Sequence, residues 1–138
     1  GDGAARSEVE ELFASFGPRV NFRGLIDNRD DMRKAYESAD IFVWPGVNEA
    51  FGRVYLECQA AGTPCGAQNR AGVREVGGPA SRLCDPDDED GIANALNEMA
   101  ADRAALRDAS GAAREYVRAR HGINAASATI TEALESLL

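Results

Sequence analysis

The residues best placed for chemistry lie in one short run, Asn48-Glu49-Ala50-Phe51-Gly52-Arg53-Val54-Tyr55-Leu56-Glu57. Two carboxylates bracket a glycine just after an apolar stretch, Ile41-Phe42-Val43-Trp44-Pro45. That stretch reads as a buried strand stopped by proline. Phe51 to Ala61 reads as a helix. A strand that passes through a short loop into a helix presents unpaired backbone N–H groups at the helix N-terminus, and these suit a phosphate or another anion. If the helix is regular between Glu49 and Glu57, the two carboxylates stand ~12 Å apart along its axis. That is too far for an acid/base pair on one bond. It suits two acceptors holding hydroxyls at opposite ends of an extended ligand such as a nucleotide sugar. A bland reading stands beside this one. Acidic residues in a first helical turn complement the helix dipole, and Glu57 fits equally as an acid at the edge of a core.

The elements that must position this run follow from hydrophobic period and turn residues. Ser7 to Phe16 places Val9, Leu12, Phe13 and Phe16 on one helical face, stopped by Gly17-Pro18. Arg19-Val20-Asn21-Phe22-Arg23 alternates and ends at Gly24, as a strand does. Asp30 to Ser38 reads as a short helix turning Met32, Ala35, Tyr36 and Ala39 toward a sheet. The Ile41 strand and the Phe51 helix follow. Thr63 to Ala67 reads as a strand, Asn69 to Gly72 as a loop, Gly72 to Val76 as a helical turn and Arg82-Leu83-Cys84 as a short strand. Helices then take over: Asp90 to Ala101, a second capped by Asp102 and running through Arg120, and a third capped by Asn124. Alternating short strands and helices predict a Rossmann-like parallel α/β sheet with flanking helices. Ligands of such sheets lie beyond the carboxyl ends of the strands. The Pro45–Gly52 loop, Gly24-Leu25-Ile26 and Asn69–Gly72 fall there.

With 138 residues the chain suits one domain with a real core. A formal net charge of −8 excludes a general binder of nucleic acid or anionic membranes. No apolar stretch approaches membrane-spanning length. Cys58, Cys65 and Cys84 form no Cys-x-x-Cys pattern, which speaks against zinc and redox chemistry. Cys58 and Cys65 read as small core fillers, suited to a reducing cytoplasm. Two other features read as local structure. Asp85-Pro86-Asp87 imitates a metal motif, yet it opens the acidic run Asp87-Asp88-Glu89-Asp90 before a helix, where turn and cap chemistry account for it. His121, the sole histidine, sits at a helix end, where a cation favours the dipole.

The run Ala39-Asp40-Ile41-Phe42-Val43-Trp44-Pro45, followed by Asn48 to Gly52, Leu56-Glu57, Ala60-Ala61-Gly62 and Pro64, resembles the donor-binding half of retaining glycosyltransferases with the GT-B fold. The nearest group is family 4, the glycosyl transferases group 1, whose signature carries two glutamates separated by seven residues, then small residues, glycine and proline. The resemblance implies that residues 1–138 are a single nucleotide-sugar-binding domain, the C-terminal half of a GT-B fold. It implies that Glu49 holds hydroxyls of the donor sugar and is the catalytic position. The backbone N–H groups of Ala50, Phe51 and Gly52 would lie beside that sugar, and those of Arg53 and Val54 beside the distal phosphate. Glu57 would accept from the ribose hydroxyls, and Gly24, Leu25 and Ile26 would frame the base. Gly72 and Glu75 resemble the Gly-x-x-Glu loop of the family, but Ala71 stands where a second glycine is usual. Cys65-Gly66 replaces β-branched residues, and Gly66 should weaken its strand. Gly46 replaces a frequent serine.

The implied activity is hexosyl transfer with retention from a UDP- or GDP-sugar, with no metal and no cofactor. The acceptor, whether glycan, lipid or small molecule, would sit on an N-terminal domain. The implied location is the cytoplasm, with the inner face of the membrane open to a full-length protein. Two other readings are a sugar-nucleotide epimerase of the same fold and a binding module without turnover. Gly1-Asp2-Gly3 resembles the loop ending the family's second strand, so the first strands and a basic Arg/Lys pair would lie upstream, leaving Arg53 and Arg70 as loop-side basic residues. In a sheet of order 3-2-1-4-5-6 the Val20 and Ile41 strands would then be parted. The expectation is that an upstream segment or a second chain completes the sheet, or that the sheet is rearranged, and that this chain alone is inactive.

Overall fold

The computed structural model describes residues 1–46 and 50–137. They divide into two compact units, 1–34 and 35–138, each treated by itself. In the first unit α1 spans Arg6–Phe13 and is followed by 3-10 turns over Ala14–Arg19. Gly17 breaks those turns with a positive φ of 55°. The predicted helix through Phe16 therefore ends three residues early. The strand expected at Arg19–Arg23 is absent. Val20 has extended dihedrals, but its N–H bonds back to the Gly17 carbonyl at 3.2 Å. Alternation favours a strand only when a neighbour supplies the ladder, and no described strand pairs with this segment. An Asp2 carboxylate ties the unit together. It accepts the Leu25 N–H at 2.7 Å and pairs with Arg6. The Leu25 bond first, and Arg6 second, hold Asp2 below the ordinary carboxylate range.

Helix α2 spans Arg29–Glu37 and crosses from the first unit into the second. Asn28 caps it, accepting the N–H groups of Asp30 and Asp31 at 2.8 and 3.3 Å. It stops before Ser38 and Ala39, short of the predicted end.

The second unit holds the sheet. β1 (Phe42–Trp44), β2 (Cys65–Gln68) and β3 (Arg82–Cys84) are parallel, in the order β1-β2-β3, with Val43 opposite Gly66 and Ala67 opposite Leu83. The parallel α/β class read from the sequence is the one observed. α3 (Arg53–Ala60) and α4 (Ala71–Val76) pack on one side of β2. There Tyr55, Cys58, Cys65, Ala67, Val73 and Val76 form the buried core. α5 (Gly91–Ala101) lies on the other face. A Cβ at Gly66 would come within 3.0 Å of Leu96 Cδ2. The residue expected to weaken β2 is thus what lets α5 approach it.

Cys58 and Cys65 are both fully buried, as core filler should be, with sulfurs 3.8 Å apart. Hydrogen bonding to Cys65 and burial push the Cys58 thiol far up, so it stays protonated.

The run Asp85–Asp90 forms Asx turns: Asp85 accepts from the Asp87 N–H and Asp88 from the Asp90 N–H. α5 begins at Gly91, one residue after the predicted start at Asp90, which precedes it without a side-chain cap bond. α6 spans Arg103–His121 and α7 Ile123–Glu135. Gly122 rather than Asn124 precedes α7, because the chain needs only one residue to turn there. Asp102 caps α6 as read, accepting the N–H groups of Ala104 and Ala105 at 2.9 and 3.0 Å. Asp102→Ala should cost about 1 kcal/mol of unfolding free energy, read as a lowered urea midpoint with an unchanged slope. No helix among the described residues is long and apolar enough to cross a membrane.

Candidate functional site

Because the three strands are parallel, the segments leaving β1 and β2 emerge at the same edge of the sheet. The first leads into α3, the second into α4. The chain enters α3 through Gly52, whose φ of 76° and ψ of 44° are left-handed. Helix α3 therefore begins at Arg53, two residues later than predicted, because a left-handed residue cannot continue a right-handed ladder. Tyr55 donates the first backbone bond of the turn, to the Gly52 carbonyl at 3.0 Å. The N–H groups of Arg53 and Val54 precede that bond. A glycine at the N-cap has no side chain to cover them, and no side-chain cap bond is made there among the described residues.

Glu49 lies outside the described residues, with Val47 and Asn48. A regular helix does not span Glu49 to Glu57: between the two acids only Arg53 to Glu57 is helical among the described residues, so the helical spacing expected of them does not hold. Ala50 and Phe51 are exposed on the approach, and Gly52 is buried. Glu57 stands one turn into α3 with its side chain 46% exposed, paired with Arg53 at 3.5 Å. The Tyr36 phenol lies within the field of the Glu57 carboxylate. Burial first, and the Glu57 charge second, hold Tyr36 above its ordinary value. Glu57 is thus a half-exposed acceptor oriented by Arg53. Val54 packs against the core. Of the loop-side basic residues, Arg53 is tied to Glu57, and Arg70 donates to Gln68 at 2.9 Å.

Gly24, Leu25 and Ile26 belong to the first unit. Gly24 has a positive φ of 71°, Leu25 is exposed and Ile26 half-buried. The Leu25 N–H is taken by Asp2, so its side chain, rather than its backbone donor, is the part presented outward. Gly72 and Glu75 lie on α4, which the sequence read as a turn at the same place. His121 ends α6 as expected. Its ring lies 5.3 Å from that of Tyr116, whose hydroxyl donates to the Glu75 carbonyl at 3.4 Å.

Three residues that frame the site escaped sequence reasoning. Tyr36 was read only as a core-facing residue. Tyr55, 1% exposed, donates its hydroxyl to the Trp44 carbonyl at the end of β1, at 2.9 Å. Gln59 is fully buried one turn further along α3. The signal available for it was a polar amide among Cys58, Ala60 and Ala61, on a face that should be apolar.

A family model described as glycosyl transferases group 1 matches residues 1–102. The chain belongs to this family. It is 32% identical over 120 residues to a sulfoquinovosyl transferase of Arabidopsis thaliana, covering 83% of this chain and 23% of that protein. It is 34% identical to a D-inositol 3-phosphate glycosyltransferase of Corynebacterium diphtheriae, covering 99% of this chain and 32% of the relative. The chain thus spans a third or less of the length of these relatives. Among solved structures, sucrose-phosphate synthase of Thermosynechococcus elongatus superposes with a TM-score of 0.81 at 30% identity, over 99% of this chain and 35% of that one. Membership and the Rossmann-like fold therefore agree with the resemblance carried by Ala39–Pro64.

Proposed function

We propose that this chain is the donor half of a retaining glycosyltransferase that binds a nucleotide-diphosphate sugar. One observation carries the reading: α3 opens on a side-chain-free N-cap, Gly52, with an oriented half-exposed carboxylate, Glu57, one turn inside. Open N–H groups at a helix start favour a phosphate, and a carboxylate beside them favours hydroxyls. The relatives support the class, since those named above are glycosyltransferases and another is described as GDP-mannose-dependent.

In this reading the N–H groups of Arg53 and Val54 take the distal phosphate. They stabilise the charge that grows on the leaving diphosphate as the bond to the sugar lengthens. Glu57 grips the ribose hydroxyls and fixes the register of the nucleotide. Glu49, with the backbone of Ala50, Phe51 and Gly52, holds the sugar and orients its reacting carbon. Gly24, Leu25 and Ile26 flank the base. The acceptor sits on an N-terminal domain, and that domain or a second chain completes the sheet. The reaction takes place in the cytoplasm and needs neither metal nor cofactor, because backbone dipoles and basic side chains carry the leaving-group charge.

Calorimetry on the intact protein tests the site. UDP-glucose or GDP-mannose should bind, and ATP should bind more weakly. No heat with any nucleotide-diphosphate sugar would remove the donor-site reading. Transfer should survive a chelator such as EDTA. Activity lost in EDTA and restored specifically by manganese or magnesium would count against the metal-independent mechanism.

A further inference from the structure

Gln59 is fully buried, and its amide is spent on two separate elements. Its Nε2 donates to the Tyr55 carbonyl within α3 at 2.8 Å and to the Val76 carbonyl at the end of α4 at 2.9 Å. Its Oε1 accepts the Gly78 N–H at 3.1 Å. Tyr55, one turn earlier, reaches the end of β1 through its hydroxyl on Trp44. Gly52 lies against the same pair of residues: a Cβ there would stand 2.8 Å from Tyr55 Cδ2 and 2.9 Å from Val76 Cγ2. The end of β1, the start of α3 and the end of α4 are therefore joined through one side-chain chain, Trp44–Tyr55–Gln59–Val76/Gly78. The end of β1 and the start of α3 lie on the donor side of the sheet, while the end of α4 leads on into β3. A buried amide with both ends satisfied holds its partners at fixed separation, because any drift leaves a buried donor or acceptor unpaired.

We propose that Gln59 is a positioning residue that sets the distance between α3 and the end of α4, and with it the placement of the Gly52 turn that receives the donor. This rests on the proposed donor site. Gln59 touches neither phosphate nor sugar in that reading. It acts through the backbone of Val76 and Gly78 on one side and through Tyr55 on the other. An apolar residue of equal size would fill the same space but would release α4 from α3.

The test uses Gln59→Met and Gln59→Glu in the intact protein, with UDP-glucose and GDP-mannose as probes in calorimetry, well below each variant's unfolding temperature. Gln59→Met should weaken binding of the preferred probe by roughly 10-fold in fully folded protein. Amide exchange at Gly78 should quicken in parallel. A merely structural role would lower the unfolding temperature and leave the affinity of the folded protein unchanged, and that result would overturn the proposal. Gln59→Glu keeps the shape and adds a pH readout. Protonated, its carboxyl donates one bond and still accepts from Gly78. Ionised, it sets a negative charge against the Tyr55 and Val76 carbonyls. Its affinity relative to wild type should therefore recover as pH falls. If Gln59→Met does not fold, this profile decides: a ratio to wild type that is flat with pH rejects the assignment. Wild-type protein that binds neither probe removes the donor site itself, and this role with it, before any variant is made.

Discussion

Gly52→Val should destabilise the protein by about 2–5 kcal/mol. Two costs add. Gly52 sits at φ 76°, where an L side chain costs roughly 1–2 kcal/mol. Its Cβ would press within 2.8 Å of the Tyr55 ring and 2.9 Å of Val76, and overpacking of that kind costs about 1–3 kcal/mol. The two neighbours are core residues, 1% and 0% exposed, so neither can swing away. Urea unfolding reads the loss. The control is Gly111→Ala in the middle of α6, where nothing lies within 4 Å of the added carbon. It should raise stability by up to about 1 kcal/mol. Gly52→Val with a wild-type midpoint would show that the entry to α3 is not held as described.

Glu57→Ala should weaken nucleotide-sugar binding by roughly 1.5–3 kcal/mol, about 10- to 150-fold, the worth of a hydrogen bond to a charged group. The loss should come through the ribose, so a deoxyribose donor should bind mutant and wild type about equally. Stability should change little, because the Arg53–Glu57 pair is largely exposed, at 78% and 46%, and such pairs contribute little. That separation makes the variant informative: binding falls while the unfolding midpoint stays. If the ribose donor binds Glu57→Ala with wild-type affinity, Glu57 serves only to orient Arg53.

What could be read from the chain alone was whatever depends on local pattern. Ile41–Pro45 and Thr63–Ala67 announced β1 and β2 by apolar runs ended by proline or a loop, and the observed strands lie within two residues of those bounds. Asp102 announced α6 because an N-cap acts on residues two and three positions on. The family was legible for the same reason, since its signature is a contiguous string from Ala39 to Pro64. The donor-binding expectations for Ala50 to Glu57 came from that string as well.

The failures share one physical cause, which is that their outcome depends on a distant partner. Arg19–Arg23 alternates like a strand, yet a strand exists only where another chain segment offers a ladder. Gly52 looked like a helix residue until the close approach of Tyr55 and Val76 placed it in the left-handed region. Gly66 looked like a defect in a strand until Leu96 was seen against it. The sequence by itself determined the family, the helix–strand alternation and the acids that bracket Gly52. The tertiary structure alone decided that Gln59, a polar residue on an apolar face, is fully bonded between α3 and α4, because a buried amide is tolerable only where backbone groups seventeen and nineteen residues away meet both its ends.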